Sequence, residues 1–362
     1  MKTIGVITHW GSLDNYGQTL QTYALQKVLE SLGYNSFLIR YLEDGIRRSI
    51  FQKCYSALNP RYLINYFRYR KLNKKDFNNN ILHGRDLRKF LDKHIKQAPL
   101  IYSRQNLLEN PPIADVYITG SDQVWNKLDR SYFLDFVKGK KIAYAASFGG
   151  TTYSEPERKV LFDLLDSFDH ISVREQSGRK ICEQIGILDV KVVPDPTILL
   201  SCKDYLELSI NPSFDKPYIL IYMLGNKTDF DLKECFDFAQ ANSLEVKYVA
   251  GQRQSDNYTK IYPSMEEWLG LIANAKFVIT NSFHGTVMST ILNVPFISIP
   301  LVGSNLKMNS RIETFLSNFG LDKRLTKNIE SISDTIDYNV VNLRLKVLQN
   351  SGIECLDNMI KN

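Results

Sequence analysis

The chain opens on an apolar run, "KTIGVITHW", breaks at the polar, glycine-bearing "GSLDNYG", and resumes as "QTLQTYALQKVLESLGY", where Leu20, Tyr23/Ala24, Val28 and Leu32 recur at helical spacing. Gly33 closes that pattern as a natural helix C-cap, and "NSFLIRY" follows as a second strand. Strand, loop, helix and strand in this order predict the opening of a parallel α/β domain. "ADVYITGSDQVWN" and "KKIAYAASFGG" repeat the theme, each a strand of β-branched and aromatic residues running into a glycine or serine loop. In open α/β sheets such loops form the ligand crevice. "HISVREQSGRKICEQIG" predicts a further strand and helix, and the two prolines of "VKVVPDPTILL" stop regular structure near residues 194 to 196, where a domain boundary is expected.

After that boundary the rhythm restarts with "YILIYML", a helix from about 229 to 242, "EVKYVA", a helix through "SMEEWLGLIANA", "KFVITN", a helix after His284, and "PFISIP". The pattern implies an α/β protein of two Rossmann-like halves facing a cleft, residues 1–194 and 195–335, with a closing C-terminal helix in 336–362. The segment from 45 to 97 fits neither half. Within it, "PRYLINYFRYRKLNKKDF" places Leu63, Tyr66, Phe67 and Arg70 along one side of a helix with basic residues flanking it.

Composition narrows the class. With 362 residues, 44% hydrophobic and 23% charged, the chain is too apolar and too evenly mixed for disorder and long enough for two ordinary domains. "MKTIGVITHW" lacks the long apolar core and cleavage site of a secretory signal, and no apolar run approaches the roughly 20 residues of a membrane span, so a cytoplasmic protein is expected. The five cysteines are odd in number, scattered and never spaced as CxxC, which argues against a disulfide framework and a zinc site. No two of the five histidines have HExxH or HxxxH spacing, so no metal is expected.

Charge changes the picture in one place. Between Gly45 and Gln97 fourteen Lys or Arg stand against three Asp, a surplus of eleven in a chain whose formal net charge is only +6. This basic, aromatic-rich insert reads either as a surface for an anionic membrane or lipid headgroup, or as a solvated helical hairpin with its aromatics in a small core. No nucleic-acid partner is expected.

The candidate chemistry concentrates at "FVITNSFHGTVMSTILNVPFISIP", where an apolar strand breaks at Asn281–Gly285 and a helix pattern begins. His284 stands at that break, so the free backbone N–H groups of Gly285, Thr286 and Val287 and the positive helix end would gather around a bound anion. A histidine there either donates a proton to substrate or serves as an ordinary capping or core residue. His9, at the end of the first strand, is its competitor.

"NYGQTLQTYALQKVL", "ITGSDQVWN", "SVREQSG", "PDPTILL", "ITNSFHGTVMSTILNVPFI" and "NSRIETFLSNFGL" occur in this order, and together they resemble the polysaccharide pyruvyl transferase family, from Asn15 to about Leu321. The resemblance implies a GT-B-like fold and transfer of the enolpyruvyl group of phosphoenolpyruvate to a sugar of a glycan or lipid-linked glycan, giving a pyruvate ketal across two hydroxyls. It implies no cofactor beyond phosphoenolpyruvate as donor substrate. The family's catalytic histidine matches His284, cast as general acid. The arginine of its "RE/RD" segment matches Arg174, a bidentate fork for phosphate or carboxylate. Arg311 and Lys307 would supply further positive charge, with Ser282, Gly285 and Thr286 completing the donor site in the C-terminal half. Members of the family often carry Arg-Leu-His where this chain has Ser282-Phe283-His284, so one anion-binding guanidinium is absent.

The acceptor is assigned to the N-terminal half. The loop with Asp14, Asn15, Tyr16 and Gly17 opens a helix, and "GSDQVWN" offers Ser121, Asp122, Gln123, Trp125 and Asn126. Polar groups beside an indole suit a sugar, whose hydroxyls take hydrogen bonds while an apolar ring face stacks on the aromatic. The same residues also suit glycine turns, caps and a core tryptophan. Asp229 and Asp231 have DxD spacing but open a predicted helix, where Asp is an ordinary first-turn residue. Two rival readings keep the fold: a GT-B-like glycosyltransferase using a nucleotide sugar, and a non-catalytic carbohydrate-binding relative.

Overall fold

In the structure, a computed structural model, residues 1–43, 60–149, 152–225 and 228–362 are described, without the side chains of 60–69 and 304. Residue 44 and the part of the basic insert at 45–59, with Arg47, Arg48 and Lys53, lie outside the described residues.

Seven parallel strands form the first sheet: β1 (Thr3–Ile7), β2 (Asn35–Tyr41), β3 (Gln97–Tyr102), β4 (Val116–Thr119), β5 (Lys140–Ala146), β6 (His170–Val173) and β7 (Val190–Val192). Their spatial order is β3-β2-β1-β4-β5-β6-β7, which reverses direction between β1 and β4. Such a switch point opens a crevice beyond the carboxyl ends of the strands. The second sheet contains β8 (Tyr218–Tyr222), β9 (Glu245–Val249), β10 (Phe277–Thr280) and β11 (Phe296–Ser298), ordered β11-β10-β8-β9 and again wholly parallel. Buried on both faces, the central strands read as near-continuous apolar runs such as "YILIY", all five residues of which are buried. The two parallel sheets with their cleft make the fold GT-B-like.

Three apolar clusters hold these layers. One packs the outer face of the first sheet around Trp125, Phe133 and Phe148, and another packs the outer face of the second around Ile219, Ile279 and Phe238. The third is shared. It joins Tyr16, Leu20 and Leu25 of the first helix (Tyr16–Ser31) to Trp268, Met288 and Ile291 of the second lobe and to Leu356 and Ile360 of the last helix (Tyr338–Lys361). That last helix returns to the first sheet, where Tyr34 donates to Asp357 at 2.7 Å and Lys2 and Lys140 both donate to the Ile360 carbonyl.

The insert re-enters the description as a helix, Pro60–Leu82, followed by a short one, Arg88–His94. Its end is tied into the body. Arg85 is buried, donating from Nε to Asn80 at 2.7 Å and from Nη1 to the Tyr16 hydroxyl at 3.1 Å and the Ala250 carbonyl at 2.5 Å. The charge count places Arg85 among solvated or lipid-facing cations; in the folded chain it bridges the two lobes. Among the described residues no helix is long and apolar enough to cross a membrane.

Candidate active site

A cavity of about 460 Å³ lies between the sheets, and its walls are segments beyond the carboxyl ends of six strands, those of β11 included. His9 follows β1, Asp122, Gln123 and Asn126 follow β4, and Asn15 and Gln18 belong to the turn and helix beyond His9. From the second lobe come Leu224 after β8, Gln252 after β9, and Asn281 to His284 after β10. Arg311 enters from the helix Asn309–Phe319.

The break after β10 is built by short polar side chains. Thr280 Oγ1 donates to the Tyr222 carbonyl at 2.6 Å and accepts from the Ser282 N–H at 3.0 Å. Asn281 clasps both backbone groups of Leu224, staplings of β10 to β8 that hold the cleft edge. Ser282 is the N-cap of the helix Phe283–Ile291, accepting from the Gly285 N–H at 3.3 Å, while its carbonyl receives the Thr286 N–H. The amides of Gly285 and Thr286, expected to be free for an anion, are therefore already engaged. Gly285 is required by proximity: a Cβ there would meet Thr280 Oγ1 at 2.5 Å. The Thr286 hydroxyl is buried against Ser298 at 2.6 Å and does not face the cavity.

His284 reaches the cavity from the first turn of this helix, with Nε2 buried, 3.7 Å from Asp195 Oδ2 and without a hydrogen-bond partner among the described residues. The opposite edge of the ring lies against Gly17, where a Cβ would come within 1.9 Å of Nδ1. Only a glycine at 17 leaves room for the ring. Gly17 thus shapes the seat of the histidine instead of contacting an acceptor.

Beneath His284 is a buried ionic group. Asp195 Oδ2 accepts from Arg174 Nη1 and from the Ser121 hydroxyl, each at 2.7 Å, while Oδ1 caps the short helix Pro196–Leu199 through the Thr197 N–H and hydroxyl. Burial pushes the Asp195 carboxyl up, but His284, Arg174 and Ser121 together overcome it and hold the group well below the usual carboxylate range. Arg174 therefore does not stand on the cavity wall as a fork for the donor. It lies behind it, with Nε 3.8 Å from Glu175 and stacked over Phe283. Ser121 is likewise withdrawn from the acceptor by its bond to Asp195.

Arg311, unlike Arg174, lines the cavity. Burial and repulsion from Arg174 push its pKa down to about 10, so it remains a cation at neutral pH, and its buried Nε has no hydrogen-bond partner among the described residues. With the Gln123 amide turned so that Oε1 faces it, Gln123 accepts from Nη1 at 2.9 Å and Nη2 at 3.2 Å. Across the cavity, burial raises the Asp122 carboxyl, yet the charges of His9, Arg174 and His284 more than reverse this and keep it ionised. His9 stacks flat on Tyr132 at 4.9 Å, and its buried Nε2 has no hydrogen-bond partner among the described residues.

Of the remaining expected residues, Asn15, Asn126, Asp122 and Gln123 meet at the cavity with Ser282, His284 and Arg311. Trp125 does not: its indole is buried in the core, stacked on Phe133 at 5.4 Å with Nε1 donating to the Tyr132 carbonyl, so neither ring face is open to a sugar. Tyr16 is buried against Trp268 and donates to the Pro263 carbonyl. Lys307 is exposed and lies off the cavity wall. Asp14 lines an adjoining cavity instead, held by Gln252 and Asn80. Sequence reasoning missed Asp195, although Asp followed by Pro-Thr is itself an N-cap signature, and it missed Gln18 and Asn281. Among the described residues no group of three or more His, Cys, Asp or Glu could hold a metal ion.

Comparison with known proteins agrees with the sequence motifs. The family described as polysaccharide pyruvyl transferase matches residues 15–301. No curated protein matches the chain. Similar solved structures include Anabaena HepE in complex with UDP and glucose (10% identity, 99% of this chain and 100% of that one, TM-score 0.45). They also include a UDP-GlcNAc 2-epimerase from Methanocaldococcus jannaschii (12%, 96% and 92%, 0.43) and the E. coli heptosyltransferase WaaC with ADP-2-deoxy-2-fluoro heptose (12%, 87% and 99%, 0.38).

Proposed function

The chain belongs to the polysaccharide pyruvyl transferase family, and from that premise we propose that it transfers the enolpyruvyl group of phosphoenolpyruvate to two hydroxyls of one sugar in a glycan or lipid-linked glycan. The observation that carries the reading is the meeting, at one cavity, of His284 and the cation Arg311 with the ionised Asp122.

In this reaction a proton adds to the methylene carbon of the donor, one sugar oxygen bonds to the resulting cationic carbon, phosphate leaves, and a second sugar oxygen takes its place. One phosphoenolpyruvate and one diol give one ketal and one inorganic phosphate. His284, whose Nε2 lies 3.7 Å from the buried Asp195 carboxylate, supplies that proton in this reading. Arg311 offers charge-assisted hydrogen bonds to the donor's carboxylate or phosphate, the place that Ser282, engaged as a helix cap, leaves without a guanidinium. Asp122, Asn15 and Asn126 present acceptors and donors to the sugar hydroxyls from the first lobe. The exposed cations of the insert helix, Lys71 and Lys74, would bring the protein to the anionic inner face of a membrane where a lipid-linked acceptor is found.

Calorimetric titration with phosphoenolpyruvate and with UDP-glucose tests the donor, and His284→Asn tests the acid. Phosphoenolpyruvate should bind and UDP-glucose should not; the reverse result replaces this reading by a nucleotide-sugar glycosyltransferase, and binding of neither by a non-catalytic relative. His284→Asn should keep phosphoenolpyruvate binding and lose on the order of 10²- to 10⁴-fold in ketal formation. Near-normal turnover in His284→Asn with loss in His9→Asn would transfer the role to His9.

A further inference from the structure

Beside the catalytic cavity, and sharing Gln252 and Arg253 with it as a common wall, lies a second cavity of about 250 Å³ roofed by the insert helix. Adjacent residues divide between the two: Asn15 lines the first and Asp14 the second. The small cavity is polar and held in place. Asp14 accepts from Gln252 Nε2 at 2.8 Å and from Asn80 Nδ2 at 3.0 Å, and Asp76 accepts the Arg253 N–H at 2.7 Å. Its volume falls below the roughly 300–1,000 Å³ typical of sites for drug-sized ligands and suits a single small ring.

Two features identify its chemistry. Phe77 lines the cavity and is 53% exposed, an open aromatic face among Asn73, Asp76 and Asn80. The carboxylates of Asp14 and Asp76 stand against the single cation Arg253, so a strip of the most basic segment of the chain presents acceptor oxygens here and disfavours an anion. An exposed aromatic face flanked by neutral amides and carboxylates is the surface that a sugar satisfies, its apolar ring face on the phenyl and its hydroxyls on the oxygens.

We propose that this cavity is a second sugar subsite, in which Phe77 stacks on, and Asn73 and Asp76 hydrogen-bond to, the acceptor residue adjoining the one that is ketalised. The inference rests on the glycan-acceptor reading above and deepens it: the insert measures the length of the acceptor, so the enzyme takes an oligosaccharide in preference to a free monosaccharide. Phe77 does not line the catalytic cavity and acts on acceptor affinity alone.

The test uses the full chain on an array of defined mono-, di- and tetrasaccharides of hexoses and N-acetylhexosamines, with phosphoenolpyruvate binding measured separately by calorimetry. Wild type should hold its best di- or tetrasaccharide more tightly than the corresponding monosaccharide. Phe77→Ala should weaken that oligosaccharide about tenfold, the factor that corresponds to 1.4 kcal/mol, leaving the monosaccharide and phosphoenolpyruvate unaffected. Phe77→Trp, which keeps an aromatic face, should retain the preference. Absence of any glycan binding, absence of length preference, or equal oligosaccharide binding by Phe77→Ala overturns the subsite. So does a loss in Phe77→Ala confined to vesicle binding, which would make the ring a membrane contact. Length-dependent glycan binding without phosphoenolpyruvate binding would leave the subsite standing and remove the proposed donor.

Discussion

Arg174 and Arg85 are both buried arginines in a chain rich in exposed ones, and they have opposite kinds of partner. Arg174 neutralises a carboxylate, Asp195, inside the first lobe and beneath His284. Among the described residues Arg85 pairs with no carboxylate; its bonds go to a side-chain amide, a phenol and a backbone carbonyl, and its guanidinium lies over the rings of Tyr16 and Tyr262. One arginine fixes the charge state of a reaction centre and the other joins two lobes. The contrast teaches that burial of a cation says nothing of its task until its partners are named. A charge beside a charge is electrostatic equipment, whereas a charge among neutral acceptors is a multidentate clamp.

The largest effect is therefore expected at Arg174. Arg174→Ala leaves the Asp195 carboxylate buried without its cation, which costs about 3–5 kcal/mol in folding stability. Acid sharpens the measurement. Asp195 has a folded pKa below its unfolded value, so its contribution is complete above the ordinary Asp pKa of about 3.9 and disappears as pH falls through the lower, folded value. Urea unfolding at pH 7 and at pH 3 should thus show the difference between wild type and Arg174→Ala shrinking at the lower pH. An unchanged difference would mean that Arg174 contributes packing over Phe283 and no charge.

Arg85 should give a smaller loss with a different signature. Arg85→Met removes three hydrogen bonds but strands no opposite charge, and the site adjoins a cavity that also reaches Ala250, so water can take up part of the vacated bonding. A cost of about 2 kcal/mol is expected, independent of pH across the acid range, accompanied by faster amide exchange after β9 at Ala250 to Gln254. A pH-dependent loss at Arg85 would erase the distinction between the two arginines.

What could be read beforehand follows the same division between local and distant partners. The unit from β1 to β2, the strand β10 and the helix after it are legible because their periodicity, caps and breaks lie within a few residues of one another. His284 was marked by such a break, and Ser282 caps the helix where that break predicts a start. Strand order was not legible, since β1 pairs with β4 across more than a hundred residues that no local pattern reports. Asp195 hid in a proline-flanked segment that reads as punctuation, because its hydrogen bonds to Ser121 and Arg174 and its approach to His284 all come from elsewhere in the chain. Arg85 hid in a charge run for the same reason, its acceptors Tyr16 and Ala250 being 69 and 165 residues away. Trp125 misled in the other direction: polar neighbours in sequence suggested a wet ring, yet a strand-end loop can turn one side chain inward while the next faces the cleft.

The smallest effect belongs to the lysines of the same insert that remain in water. Lys71 and Lys74 are exposed on the helix that Arg85 follows, and they test whether the surplus of positive charge does more than keep this helix solvated. A lysine near an anionic leaflet contributes about 1 kcal/mol, which a Debye length of roughly 8 Å at physiological salt confines to close contact. Lys74→Ala should therefore leave folding stability and phosphoenolpyruvate binding unchanged and weaken co-sedimentation with phosphatidylserine-containing vesicles roughly fivefold, with no change on neutral vesicles and none at high salt. Equal sedimentation of wild type with neutral and anionic vesicles would assign the lysines to solvent alone. Arg85 would then be the one cation among these three whose position in the insert matters to the fold, because it is the one that has left water.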